Sequence, residues 1–84
     1  MFLLINIYSS DATSAYVAYV YNFESYDVAE KEMLKRARYA YSIYHKEWED
    51  NKEDECHEPY MDGDDTTCFI CGYDYKDIWQ IYHL

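Results

Sequence analysis

Cys68 and Cys71 stand three apart and are followed by Gly72, in the run "CFICG". This C-x-x-C-G form is half of a zinc knuckle, in which two thiolates and two further ligands make a tetrahedral site. The other soft donors are Cys56, His57 and His83, so the candidate set is Cys68, Cys71, His83 and one of Cys56 or His57. Bound zinc would staple a chain too small to bury a large core. A second C-x-x-C is absent, however. A regular strand over 66–72 would also send Cys68 and Cys71 to opposite faces. Thiols packed as small apolar side chains, with no cofactor, are therefore the leading expectation. Zinc is the alternative, and a disulfide from Cys56 comes third. "DGDD" at 62–65 lacks the spaced ligands and closing Glu of a calcium loop and reads as a solvated turn. Nucleophilic catalysis finds no support. Cys56 and His57 are neighbours in an acidic run, where carboxylates work against a thiolate. G-x-S-x-G, H-E-x-x-H and a Gly-rich phosphate loop are all missing. The expectation is a protein that is not an enzyme.

The carboxylates form the second constellation. The 84 residues carry 17 acids against seven Lys and Arg, a net charge of −10. Ten of those acids lie within 47–65 beside one base, Lys52, so the remaining body is nearly neutral. Such a balance excludes direct binding to nucleic acid or to an anionic membrane, and suits a basic protein partner. In an extended chain, residues two apart are separated by about 6.6 Å. Glu47/Glu49, Glu53/Glu55 and Asp62/Asp64 would then be spaced on the scale of phosphates along a nucleic-acid strand. Glu47, Glu49, Asp50, Glu53, Asp54, Glu55, Glu58, Asp62, Asp64 and Asp65 are the candidate contacts, with Trp48 and Tyr60 as anchors. The plainer reading of the segment is a solubilising loop. Twelve tyrosines are the other excess. Tyr combines a large apolar body with a polar tip and is enriched at interfaces.

The elements that must position these groups follow from patterning. Residues 2–8 and 15–23 read as two strands of an antiparallel hairpin around a polar turn, "SSDATS". Strict alternation puts Tyr16, Ala18 and Val20 on one face of the second strand, and Val17, Tyr19, Tyr21 and Phe23 on the other. One helix can cover one face only, which leaves an aromatic face with Tyr19 and Tyr21 for a partner or for a homodimer. Residues 26–48 read as the helix, with Ser25 or Asp27 as N-cap. Ala29, Met33, Ala37, Ala40, Tyr41, Tyr44 and Trp48 fall on one stripe of about 120°. Its opposite, basic side (Lys31, Lys35, Arg38, Lys46) reads as a solvated face. Residues 47–65 read as an acidic connection, and 66–72 and 78–84 as the last two strands. The fold expectation is a single α+β domain over 1–84: a four-stranded, mainly antiparallel sheet, β-β-α-β-β, with one long helix packed on one face. The apolar start, "MFLLINIY", is too short for a membrane span and lacks the features of a signal peptide. With an odd cysteine count, it points to a reducing, cytoplasmic setting.

The hairpin, then "FESYDVAEKEMLKRA", then further strands resembles the layout of small acidic phage-encoded inhibitor proteins, the anti-CRISPR proteins and DNA mimics among them. The likeness covers size, charge and element order, and no residue role is carried over with it. It implies a viral, non-enzymatic inhibitor acting in the host cytosol. Such a protein binds a nucleic-acid-binding protein or nuclease complex where nucleic acid should sit. The alternative function is a small zinc-stabilised adaptor using Cys68 and Cys71.

Overall fold

The computed structural model describes residues 1–51 and 57–84. The elements are β1 (Phe2–Ser10), β2 (Thr13–Phe23), α1 (Tyr26–Asn51), β3 (Tyr60–Gly63), β4 (Thr67–Cys71) and β5 (Tyr75–His83). All pairings are antiparallel, in the order β2-β1-β5-β4-β3. The α+β class and the single long helix on one face agree with the sequence. The strand count does not: the sheet has five strands, because β3 forms inside the acidic segment. Its one inward apolar residue, Met61, pairs with Ile70 and packs against the core. A single apolar position among acids is too weak a pattern to announce a strand.

Gly63 closes β3 at φ +152°, and a Cβ there would sit 2.1 Å from the Thr67 carbonyl oxygen. Only glycine fits that approach. Asp64 then shapes the turn. Its Oδ1 accepts from the Thr66 N–H at 2.8 Å, the Thr67 N–H at 2.9 Å and the Thr66 hydroxyl at 3.0 Å. These donors hold the Asp64 carboxyl below its ordinary pKa.

Leu4, Ala29, Met33, Ala37, Cys68, Ile70, Trp79 and Ile81 make the buried core. Ala29, Met33 and Ala37 recur every four residues, and the two alanines let α1 lie close to the sheet. Beyond Ala37 the inward stripe continues as Ala40, Tyr41, Tyr44 and Trp48, all half-buried. The helix packs over β1, β4 and β5, less on β2, and least on β3. Among the described residues, no helix is long and apolar enough to cross a membrane.

The faces of β2 differ from strict alternation. Asn6 pairs with Tyr19, and Ile7 with Val17, so Ala18 is an extra residue in a bulge. The bulge resets the parity. Tyr16, Tyr19, Tyr21 and Phe23 all fall on the helix side, while Val17 and Val20 take the uncovered side. Tyr19 and Tyr21, expected on the uncovered face, stand on the opposite one because they pair with the inward-facing Asn6 and Leu4, and the bulge adds Tyr16 to them.

Candidate protein-binding site

The gap between α1 and the β2 side of the sheet is an open cleft of about 710 Å³. Six of the twelve tyrosines line it: Tyr8, Tyr16, Tyr19, Tyr21, Tyr39 and Tyr44. Three of these come from β2, Tyr16 among them because of the bulge. Tyr19 lies parallel to Trp79, with centroids 6.4 Å apart, and Tyr8 contacts Tyr16 at 5.8 Å.

Asn6 and Asp77 also line the cleft, and each is only 4% exposed. Asn6 Nδ2 donates to Asp77 Oδ1 at 2.5 Å and to the Ile78 carbonyl at 2.9 Å. The Tyr44 hydroxyl donates to Asp77 Oδ2 at 2.8 Å. Both carboxylate oxygens are thus met, as a buried carboxylate requires. Burial, and then the bond to Asp77, push the Tyr44 hydroxyl well above its ordinary pKa. Tyr8 is raised by burial first, then by the charges of Asp74, Asp77 and Glu47 and by Tyr16. The charged groups lining the cleft are Glu32 and Asp77 against Lys35 and Arg36. At the other wall, the Arg36 guanidinium lies 4.0 Å from the Tyr21 ring centre and donates to the Tyr21 hydroxyl at 2.9 Å. Glu32 accepts from the same arginine at 2.9 Å.

The acidic segment does not form one line of charge. Glu47, Trp48, Glu49 and Asp50 are in the last turns of α1, so Glu47 and Glu49 lack the extended-chain spacing expected of them. Asp62 is on β3, and Asp64 is committed to its turn. That turn meets the start of the helix, where the Tyr26 hydroxyl donates to the Asp65 carbonyl. At 1.5 Å per residue, Tyr26 and Glu47 are about 30 Å apart along α1. The described carboxylates therefore gather at two poles. At the first, His45 lies between Glu49 (3.2 Å from Nδ1) and Glu58 (2.8 Å from Nε2), tying the helix end to the chain before β3. Glu47, Asp50 and Asp65 are exposed. Glu53, Asp54, Glu55 and Cys56 lie outside the described residues.

Trp48 is half-buried against His45, and its Nε1 is buried with no hydrogen-bond partner among the described residues. Tyr60 is exposed on the uncovered side of the sheet, beside Phe69. Its hydroxyl pKa is raised, chiefly by a hydrogen bond with Cys71.

The metal candidates do not converge. Cys68 is buried on the helix side and pairs with Trp79, while Cys71, three residues on in the same strand, faces the other way. Burial pushes the Cys68 thiol up. His83 stacks on Phe2 at 4.5 Å, and His57 contacts Tyr60. Among the described residues, no group of three His, Cys, Asp or Glu is placed to hold a metal ion.

Asn6, Asp77 and Arg36 were not among the residues singled out from the sequence, and Tyr44 was read only as part of the inward helix stripe. Two of them carried a signal. Asn6 is the one polar residue within "FLLINIY", and Asp77 shares the inward parity of Trp79 and Ile81. Comparison with known protein families, with curated proteins and with solved structures finds no match to this chain.

Proposed function

We propose that the chain is a non-enzymatic binding protein that docks its acidic, tyrosine-rich surface on a basic partner protein. The observation that carries this reading is the gathering of six tyrosines in one open cleft that also holds the Asp77 and Glu32 carboxylates. Aromatic faces beside carboxylates attract guanidinium and ammonium groups. Arg36 on Tyr21 is an intramolecular instance of the same pairing. A partner's arginine or lysine would enter over Tyr16 and Tyr19, which are 49% and 55% exposed. The carboxylates at the two poles would steer the encounter. In the anti-CRISPR-type reading the partner is a nucleic-acid-binding protein, inhibited by occupation of its phosphate-binding surface. Two acidic poles about 30 Å apart along the helix would then touch two places on that surface, not one continuous groove.

The test uses a short arginine-rich peptide as probe, titrated by calorimetry at low and high salt. Binding should weaken as salt rises, and should be lost in a Tyr16→Ala, Tyr19→Ala variant that keeps its fold. Replacing Glu47, Glu49 and Asp50 by Gln, Gln and Asn should slow association more than it speeds release. Binding indifferent to both salt and the tyrosines would refute the proposal.

A further inference from the structure

The side of the sheet that α1 leaves uncovered is a second surface, distinct from the cleft. Leu3, Ile5 and Ile7 of β1, Val17 and Val20 of β2, Phe69 of β4 and Ile78 of β5 share it by register. Val17 and Val20 are 57% and 52% exposed. The strand residues on this side include two charges, Lys76 and Asp62, in a chain of net charge −10. Lys76 lies over the Phe69 ring at 5.1 Å. An apolar patch drawn from four strands is a surface whose contact with water is unfavourable.

We infer that this face is covered by a second copy of the chain, sheet against sheet, in an isologous dimer. Three observations select that occupant. Five strands about 4.8 Å apart, over some six residues each, make a footprint of roughly 20 × 20 Å. Pairing two such faces removes on the order of 1,000 Å² from water, the area at which a specific interface becomes stable. Composition is the second observation. The face is aliphatic along β1 and β2, with Ile78 between Lys76 and Gln80 on β5, and it gives the basic partner of the cleft one carboxylate, Asp62, to meet. The third is the placement of charge. Glu47 and Asp77 act on the cleft side, so pairing through the uncovered face keeps the helix-end carboxylates of two acidic chains apart. The single chain is thin, 16 Å in its shortest extent. Two copies would stack as helix, sheet, sheet, helix, the arrangement in which both sheets are covered on both sides.

Salt separates this contact from the one in the cleft. Two chains of like charge repel, and salt screens that repulsion, so the dimer should tighten as ionic strength rises. Binding of a basic partner should weaken over the same range. The dimer does not depend on the proposed function, and either can fail alone.

Sedimentation equilibrium of the full chain, across a series of salt concentrations, is the test. The expected species has twice the 10.2 kDa chain mass. A Val17→Lys, Val20→Lys variant should sediment as a folded monomer, since both side chains are already more than half exposed. Tyr39→Lys, at a residue 69% exposed on α1, should remain a dimer. Should the double variant lose its fold, Val20→Lys alone makes the same comparison. A wild-type monomer at all salt concentrations would overturn the inference. So would a dimer that survives lysine at Val20, because the contact would then lie elsewhere.

Discussion

Replacing Tyr44 by Phe removes one oxygen and leaves the ring in place against Tyr75, 4.6 Å away. The loss falls on Asp77, whose Oδ2 accepts from Tyr44 at 2.8 Å and whose side chain is buried. A hydrogen bond to a charged group contributes about 1.5–3 kcal/mol, and a buried acceptor left without its donor keeps its desolvation cost. We expect a loss of about 2 kcal/mol. Against a total of about 4–13 kcal/mol for a domain of this size, that is a large fraction. Thermal unfolding should move down by about 8–16 °C. In urea the midpoint should fall with the slope unchanged, since the surface exposed on unfolding is the same. Tyr41→Phe is the control, because that hydroxyl makes only a 3.5 Å contact with the Pro59 carbonyl. A double-mutant cycle with Asp77→Asn isolates the pair: the two changes together should cost less than their sum. A Tyr44→Phe loss below about 0.5 kcal/mol, or strict additivity in the cycle, would refute the claim that this hydroxyl holds the buried carboxylate.

Two further outcomes are expected. Tyr44, Tyr8 and Tyr26 all have raised hydroxyl pKa values, Tyr26 to about 12 through burial, its bond to Glu30 and the nearby Asp65 charge. The stability they contribute is present below the unfolded value near 10 and is lost as pH rises above it; alkaline denaturation followed by circular dichroism should be shallower in Tyr44→Phe than in wild type. In a Cys56→Ser, Val20→Lys background, chosen to hold the chain as a monomer, iodoacetamide should label Cys71 in the folded protein and Cys68 only after unfolding, because Cys68 is sealed in the core; mass spectrometry of the labelled peptides reads the order.

The helix was legible because Ala29, Met33 and Ala37 repeat at the helical period over a run free of Gly and Pro. The first hairpin was legible from its turn and its dense Val and Tyr content. The two misreadings, the faces of β2 and the missing β3, have separate physical origins. Period-two patterning assumes that a strand runs without insertion, and one bulged residue, Ala18, inverts the faces of everything before it. Val17 and Ala18 are both small and apolar, so composition gave no warning. β3 was hidden because its pairing energy lies in backbone hydrogen bonds to β4, while its side chains are those of an acidic loop. At the site, the tyrosine excess was plain, but the cleft that collects it depends on the bulge and on the helix's small-residue half. The acidic run looked like one feature because it is continuous in sequence. The helix end and the β3–β4 turn divide it in space. Asn6 and Asp77 are polar residues at inward positions, a signal available from parity alone.

Two neighbouring strands inside the sheet, β1 and β5, have every other element between them in the chain. They pair residue for residue, Phe2 with His83 through to Ser10 with Tyr75. At 5–20 residues per second, about 4–14 s of synthesis separate them. During that interval β1 can pair only with β2, and its other edge presents unpaired N–H and C=O groups flanked by Leu3, Leu4, Ile5 and Ile7. Until β5 is made, no intermediate can complete the centre of this sheet. Closing a loop this long is slow, as it is for other sheets built on distant pairings. A nascent chain therefore carries an adhesive edge from the completion of β1 until β5 arrives, and the pairing of β5 removes that edge in one step.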